Sequence, residues 1–209
     1  MKKKAIIISL SIILALLAAI LIPLTLIPRP AVAKIAVISL SGTITTGDSS
    51  LLSSSTITPE LVKDYLTRAE ADKAVRAIVL RIESSGGEIE PCQEILAEIE
   101  RVKEIKTIVV SMGGMAASGA YYISTQADKI VALPTTMTGS IGVIYQVTNI
   151  EGLLEKLGIQ IEIFKGGKYK DMLWGFRELT PEEEEIMQQM IDEYYEHFID
   201  VVAEGRGLS

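Results

Sequence analysis

One histidine, one cysteine, one tryptophan and three phenylalanines are all that the 209 residues hold of those types. A single cysteine excludes an internal disulfide and says nothing about redox compartment. One His and one Cys are too few nitrogen and sulfur ligands for a zinc site within a chain. No phosphate-loop spacing and no internal repeat occurs, and no cofactor is expected. Acidic residues are missing from the first 33 positions, which hold four of the 20 basic ones. The remainder sets 16 basic against 27 acidic residues, a net charge of −11. That acidic body argues against nucleic-acid binding, which needs a basic footprint.

What the N-terminus has is a long uncharged run. Lys2-Lys3-Lys4 precede Ala5 to Pro28, rich in Ile and Leu. At helical rise the run spans a hydrocarbon core. A signal-peptide core is shorter, although Ala31-Val32-Ala33 resembles a cleavage site, so an uncleaved anchor is the expectation. Positive charge before the span places the N-terminus in the cytoplasm. Residues 1–33 then form the anchor region. Residues 34–209 form one domain on the far side of the cell membrane.

From Lys34 onward strands alternate with helices, which predicts an α/β domain with a largely parallel core sheet. Strands are expected at Lys34–Leu40, Ala77–Ile82, Lys106–Met112, Lys129–Leu133 and Ile159–Phe164, the last by alternation. Thr58-Pro59 opens one helix as N-cap and first residue. Ile89, Cys92, Ile95, Leu96, Ile99 and Val102 line a second, making Cys92 a core thiol. A short helix spans Ile150 to Leu157. Thr180-Pro181-Glu182-Glu183 opens a long one with capping-box spacing. Its acidic run reads as a solvated first turn, and Ile186, Met190, Tyr194, Phe198 and Val201 as its buried or partner-facing stripe.

Chemistry concentrates at Gly113-Gly114-Met115-Ala116-Ala117-Ser118-Gly119, which follows an apolar strand and precedes a small apolar helix. There Ser118 is either an N-cap or a nucleophile facing unpaired amides. A nucleophilic serine needs a base. His197, the one histidine, falls in the charged terminal helix and reads as a surface residue. Lysine is the remaining ordinary base, once burial leaves it neutral. Lys165, Lys168 and Lys170 cluster after Phe164, and spacing does not choose among them. Gly86-Gly87, between a strand and a helix, offers backbone amides that with Gly119 would make an oxyanion hole, or else is simply a turn.

Gly-Gly-Met-Ala-Ala-Ser-Gly-Ala-Tyr-Tyr-Ile, Thr-Gly-Ser-Ile-Gly-Val and Tyr-Lys-Asp, in this order, closely resemble the signal peptide peptidase A family (peptidase family S49). The resemblance runs from Lys34 to Ser209. It implies a Clp-protease/crotonase-like fold with repeated β-β-α units, preceded by one N-terminal transmembrane helix. It also implies a membrane-anchored serine endopeptidase that degrades cleaved signal peptides and other apolar peptides. Ser118 is then the nucleophile and Lys170 the general base. Ser140 orients the lysine, and Gly87 and Gly119 form the oxyanion hole. A homo-oligomer with sites shared between protomers follows from the same resemblance. Two departures stand out: Glu83-Ser84-Ser85 replaces Asn or Asp, Ser, Pro before the glycine pair. Family members also continue beyond Gly205-Arg206-Gly207, so the chain is expected to stop short of their length.

Other readings stay open at this point. A stomatin-associated Clp-class protease also uses Ser and Lys, but usually with further spans. A crotonase-type acyl-CoA enzyme shares the paired amides, but its substrate does not suit an extracytoplasmic domain. A non-catalytic membrane-tethered oligomeric scaffold would leave Ser118 and Lys170 as packing residues, and a serine-directed probe would not label it.

Overall fold

The computed structural model describes residues 15–19, 32–47 and 56–208. The chain divides into two units, Met1–Ala33 and Lys34–Ser209. In the first, residues 15–19 are helical. The rest of the expected anchor, Ala5 to Pro28, lies outside the described residues. No helix among the described residues is long and apolar enough to cross a membrane.

The second unit is built on a parallel sheet. Its strands are β1 (Lys34–Ser41), β4 (Val75–Ser84), β5 (Thr107–Ala117) and β6 (Lys129–Val131) in that spatial order, and β7 (Met137–Gly139) also pairs with β5. Two further two-residue strands, β2 (Thr43–Ile44) and β3 (Thr56–Ile57), pair with each other. Parallel strands must be covered on both faces, and their sequences show it as apolar runs. Ile78, Leu80 and Ile82 of β4 and Ile108, Val110 and Met112 of β5 are buried. Helices α1 (Pro59–Ala71) and α2 (Ile89–Lys103) follow strands and pack on one another. They bury Val62, Leu66, Ile95, Ile99 and Val102. Thr58 caps α1, its hydroxyl accepting from the Leu61 amide at 3.3 Å. Lys106 closes the other end of this layer: its ammonium donates to the carbonyls of Ala69, Asp72 and Val75 at 2.6–2.9 Å. Carbonyls at a helix end and in the turn that follows it need such partners.

Beyond the sheet come α3 (Gly119–Ser124), α4 (Glu151–Leu157) and α5 (Pro181–Arg206). Both halves of the Thr180/Glu183 capping box are formed. The expected strand at Ile159–Phe164 is not one. It has no partner strand among the described residues, and Ile159, Ile161 and Phe164 are exposed. Alternation without a ladder or a covered face does not make a strand. The buried positions of α5 coincide only in part with the expected buried or partner-facing stripe. Phe198 and Val201 are buried as read, but Tyr194 is exposed, and Glu183, Met187 and Val202 are buried instead. The acidic first turn is therefore not merely solvated.

Candidate active site

β5 runs on past its apolar stretch, through Gly113-Gly114, and ends at Ala117. Its ladder with β4 slips on the way, from Ile82↔Met112 to Ser84↔Ala116. Such a slip orphans backbone amides. The Glu83 carboxylate takes them up, accepting from Gly114 at 2.7 Å and Met115 at 3.0 Å. A Cβ at Gly113 would lie 1.7 Å from that carboxylate, so the close approach requires glycine. On the opposite edge, the Thr136 and Thr138 hydroxyls donate to the carbonyls of Gly113 and Ala116, both at 2.7 Å. The strand end is thus fixed from two sides.

Ser118 comes next, with φ 52° and ψ −125°. For a side-chain-bearing residue this is a strained conformation, of the kind concentrated at functional sites. Ser118 occupies the N-cap position of α3, its carbonyl accepting from the Tyr122 amide at 2.9 Å, but its side chain makes no capping hydrogen bond. The Ser118 amide donates to the Gly139 carbonyl at 2.8 Å. Among the described residues its hydroxyl makes no recorded hydrogen bond. Ser140, directly after Gly139, has φ 53°. These two serines are the only described non-glycine residues with positive φ, and the β5–β7 register sets them side by side.

Gly86 and Gly87 pass close to the start of α3. The bridge between Ile44 and Gly87 uses the Gly86 carbonyl and the Glu88 amide, which leaves the Gly87 amide outside it. A Cβ at Gly87 would strike the Ile44 carbonyl oxygen at 1.9 Å, and one at Gly119 would lie 2.5 Å from the Cys92 sulfur and 3.3 Å from the Gly87 amide nitrogen. Glycine is therefore needed at both positions, and the two amides lie close together. The Gly119 amide opens α3, where no intrahelical acceptor exists. Glu88 anchors this corner, its carboxylate accepting from the Thr45 hydroxyl and the Thr46 amide, which lower its pKa.

A pocket of about 120 Å³ opens beside Ser118. Its walls are mainly apolar: Ile89, Cys92, Tyr122, Val143, Ile144 and Phe198. Burial, with a smaller contribution from Glu88, pushes the Cys92 thiol up to about 12, so it is an inert wall. Tyr122 is likewise pushed up to about 12, mainly by burial. Its ring packs edge-on against Phe198, and its hydroxyl lies 3.2 Å from His197 Nε2. His197 is exposed, as read from the sequence, but it also lines this pocket. That was missed. The Tyr194, His197, Phe198 spacing on one helical face is the signal that carries it.

The three lysines differ in their surroundings. Lys165 pairs with Asp171 at 2.5 Å and Lys168 pairs with Glu182. Lys170 is exposed and, among the described residues, has no recorded ion pair. It does not line the Ser118 pocket. Ser118, Gly119 and Gly87 thus line one pocket, with Ser140 set beside Ser118 by the β5–β7 pairing, and Lys170 is not among the lining residues. Among the described residues no cluster of His, Cys, Asp and Glu that could hold a metal ion occurs.

Residues 100–209 match the sequence profile of Peptidase family S49. The chain belongs to that family. A Synechocystis sp. protein named as a protease is 40% identical over 176 residues, covering 84% of this chain and 60% of that protein. An Enterococcus faecium protein named as signal peptide peptidase SppA is 38% identical over 177 residues, covering 84% of this chain and 52% of that protein. The chain spans about half the length of the curated relatives it matches. Among solved structures, a ClpP1 variant from Listeria monocytogenes is similar over 83% of this chain and 73% of that one, with 20% identity and a TM-score of 0.49.

Proposed function

We propose that this S49 chain is a membrane-anchored serine endopeptidase of Clp-protease/crotonase-like fold, acting through Ser118 and Lys170 on cleaved signal peptides and other apolar peptides. The observation that carries it is the strained Ser118 with an unbonded hydroxyl, set beside the Gly87 and Gly119 amides at the mouth of an apolar pocket. In this reading Ser118 attacks the peptide carbonyl as neutral Lys170 takes its proton. The two amides hold the oxyanion, and an acyl-enzyme forms. The lysine then protonates the leaving amine and activates water. Ser140 orients the lysine amine. The apolar pocket supports an apolar substrate side chain, and the relative named SppA supports signal peptides as the class.

Of the three candidate lysines, Lys170 is the one not already paired with a carboxylate, which favours it as the proton acceptor. Lys170 does not line the Ser118 pocket, and a lysine supplied by a neighbouring copy would account for that, so a homo-oligomer belongs to the same proposal. The catalytic domain then lies outside the cytoplasm, beyond the N-terminal anchor. The test is hydrolysis of an apolar fluorogenic peptide by the full chain, with Ser118→Ala and Lys170→Ala. Both variants should be inactive alone, and mixing them should recover activity. Hydrolysis by Ser118→Ala would remove the nucleophile; no recovery after confirmed subunit exchange would remove the shared site.

A further inference from the structure

The segment that carries Lys170 is held by charge rather than by apolar burial. Its centre is Arg177. One edge of the guanidinium meets Asp171, with Nε to Oδ2 at 3.1 Å and Nη2 to Oδ1 at 2.9 Å. The other meets Glu183, with Nη1 to Oε2 at 2.7 Å and Nη2 to Oε1 at 2.6 Å. Nη1 also donates to the Glu178 carbonyl at 2.9 Å. An arginine has five N–H groups, and here all five are used. Asp171 and Glu183 are almost fully buried, at 4% and 2% exposure. Asp171 immediately follows Lys170, and Tyr169, which immediately precedes it, is tied together with Lys168 to Glu182.

A lysine amine on its flexible stem pairs readily with any nearby free carboxylate. Apart from Glu178 and Glu184, which are exposed, the acids of this segment and of the facing first turn of α5 are Asp171, Glu182 and Glu183. Each is already occupied: by Arg177 and Lys165, by Lys168 and Tyr169, and by Arg177. Further out, the Glu151 carboxylate accepts from the Glu178 amide. Lys165, Arg177, Asp171 and Glu183 sum to zero charge. Without Arg177, two buried carboxylates would share the single cation Lys165, and Lys170, which adjoins Asp171 in the chain, is a cation that neither Asp171 nor Glu182 already engages.

We propose that Arg177 is a positioning residue that keeps the Lys170 amine unpaired by occupying the two buried carboxylates, Asp171 and Glu183. Its importance for catalysis rests on the reading of Lys170 as proton acceptor. Only the forked, planar guanidinium serves both carboxylates at once; a lysine in its place has no such fork. Arg177 touches no reacting group and acts only through Lys170.

Pulsed reductive methylation of the full chain, read peptide by peptide in a mass spectrometer, tests this without requiring activity. Lys73, exposed and without a recorded partner, serves as internal reference. Relative to Lys73, Lys170 labelling should slow about tenfold in Arg177→Ala, because a freed carboxylate stabilises the charged amine. It should slow less in Arg177→Lys and recover in Arg177→Ala/Asp171→Asn. In peptide hydrolysis the acid limb of the pH–rate profile should move to higher pH in Arg177→Ala, with kcat falling more than KM changes, and return in the double variant. If circular dichroism shows Arg177→Ala unfolded, Arg177→Lys decides. Labelling at the wild-type rate in the folded variants would overturn the inference alone. Hydrolysis persisting in Lys170→Ala would overturn the proton-acceptor reading and this inference with it.

Discussion

The serine-bearing strand end and the lysine-bearing segment are made in opposite ways. Around Ser118, glycines bring backbone to within contact of backbone, and the surroundings are a buried apolar core. Between Ile141 and Thr180 the chain holds only one short helix, and Ile144 and Phe164 are more than nine-tenths exposed. There Arg177, Asp171, Glu183, Lys165, Lys168 and Glu182 do the holding. A packed core fixes atoms to fractions of an ångström. An ion network on a partly exposed segment fixes the fold of that segment yet leaves its apolar side chains unpartnered. The first construction suits an electrophile trap, the second a group delivered to another surface.

The comparison can be broken most severely at the serine. Ser118→Ala should reduce peptide hydrolysis by at least about 10³-fold while the fold persists, as for other acyl-enzyme nucleophiles. Ser118→Gly should be equally inactive but more stable in urea by about 1 kcal/mol, since glycine relieves the positive φ. Equal or lower stability of the glycine variant would deny that Ser118 is strained.

Next comes Gly119→Ala, whose Cβ would sit 2.5 Å from the buried Cys92 sulfur. Overpacking of this kind costs about 1–3 kcal/mol. A lowered urea midpoint, with partial restoration by Cys92→Ala, would show that the collision is the cause. Restoration absent, the strain lies elsewhere.

The ion network should yield to acid. Hydrogen bonds from Arg177 and then Thr180 hold the Glu183 carboxyl down at about 2, and Arg177 and Lys165 hold Asp171 well below the carboxylate range. A carboxyl lowered on folding stabilises the native state fully above its unfolded value, and loses that contribution as pH falls through the folded one. For Glu183 the window runs from about 4.5 down to about 2. Trp174, the one tryptophan, lies within this segment, so its fluorescence should change across that window before the helical signal of the core does. In Glu183→Gln the transition should be shallower. The smallest effect is expected at Phe164: Phe164→Ser should shift monomer stability by no more than about 0.5 kcal/mol, because the side chain is 93% exposed.

How far the sequence could be read follows the same division. β-branched runs, Thr58-Pro59 and Thr180-Pro181 located strands and caps because those signals are local. The two glycine-rich turns announced the serine site for the same reason. What stayed hidden depends on partners distant in the chain. Alternation at Ile159–Phe164 promised a strand, but no neighbouring strand is there to accept it. Three lysines looked alike until Asp171 and Glu182 paired with two of them. Glu83 looked like a departure from the family's Asn or Asp, yet its carboxylate carries the amides that the slipped ladder leaves over. His197 belongs to a surface helix and to the pocket at once, and only its spacing from Tyr194 and Phe198 on one helical face points to the second role.

The far wall of the pocket has a consequence in time. Phe198 and its helical neighbours leave the ribosome roughly 80 residues after Ser118. At about 5–20 residues per second, several seconds separate the two events. For that interval a nascent chain carries Ser118 without the α5 wall of the pocket. Synthesis itself therefore sets the order in which the two sides of the pocket are completed.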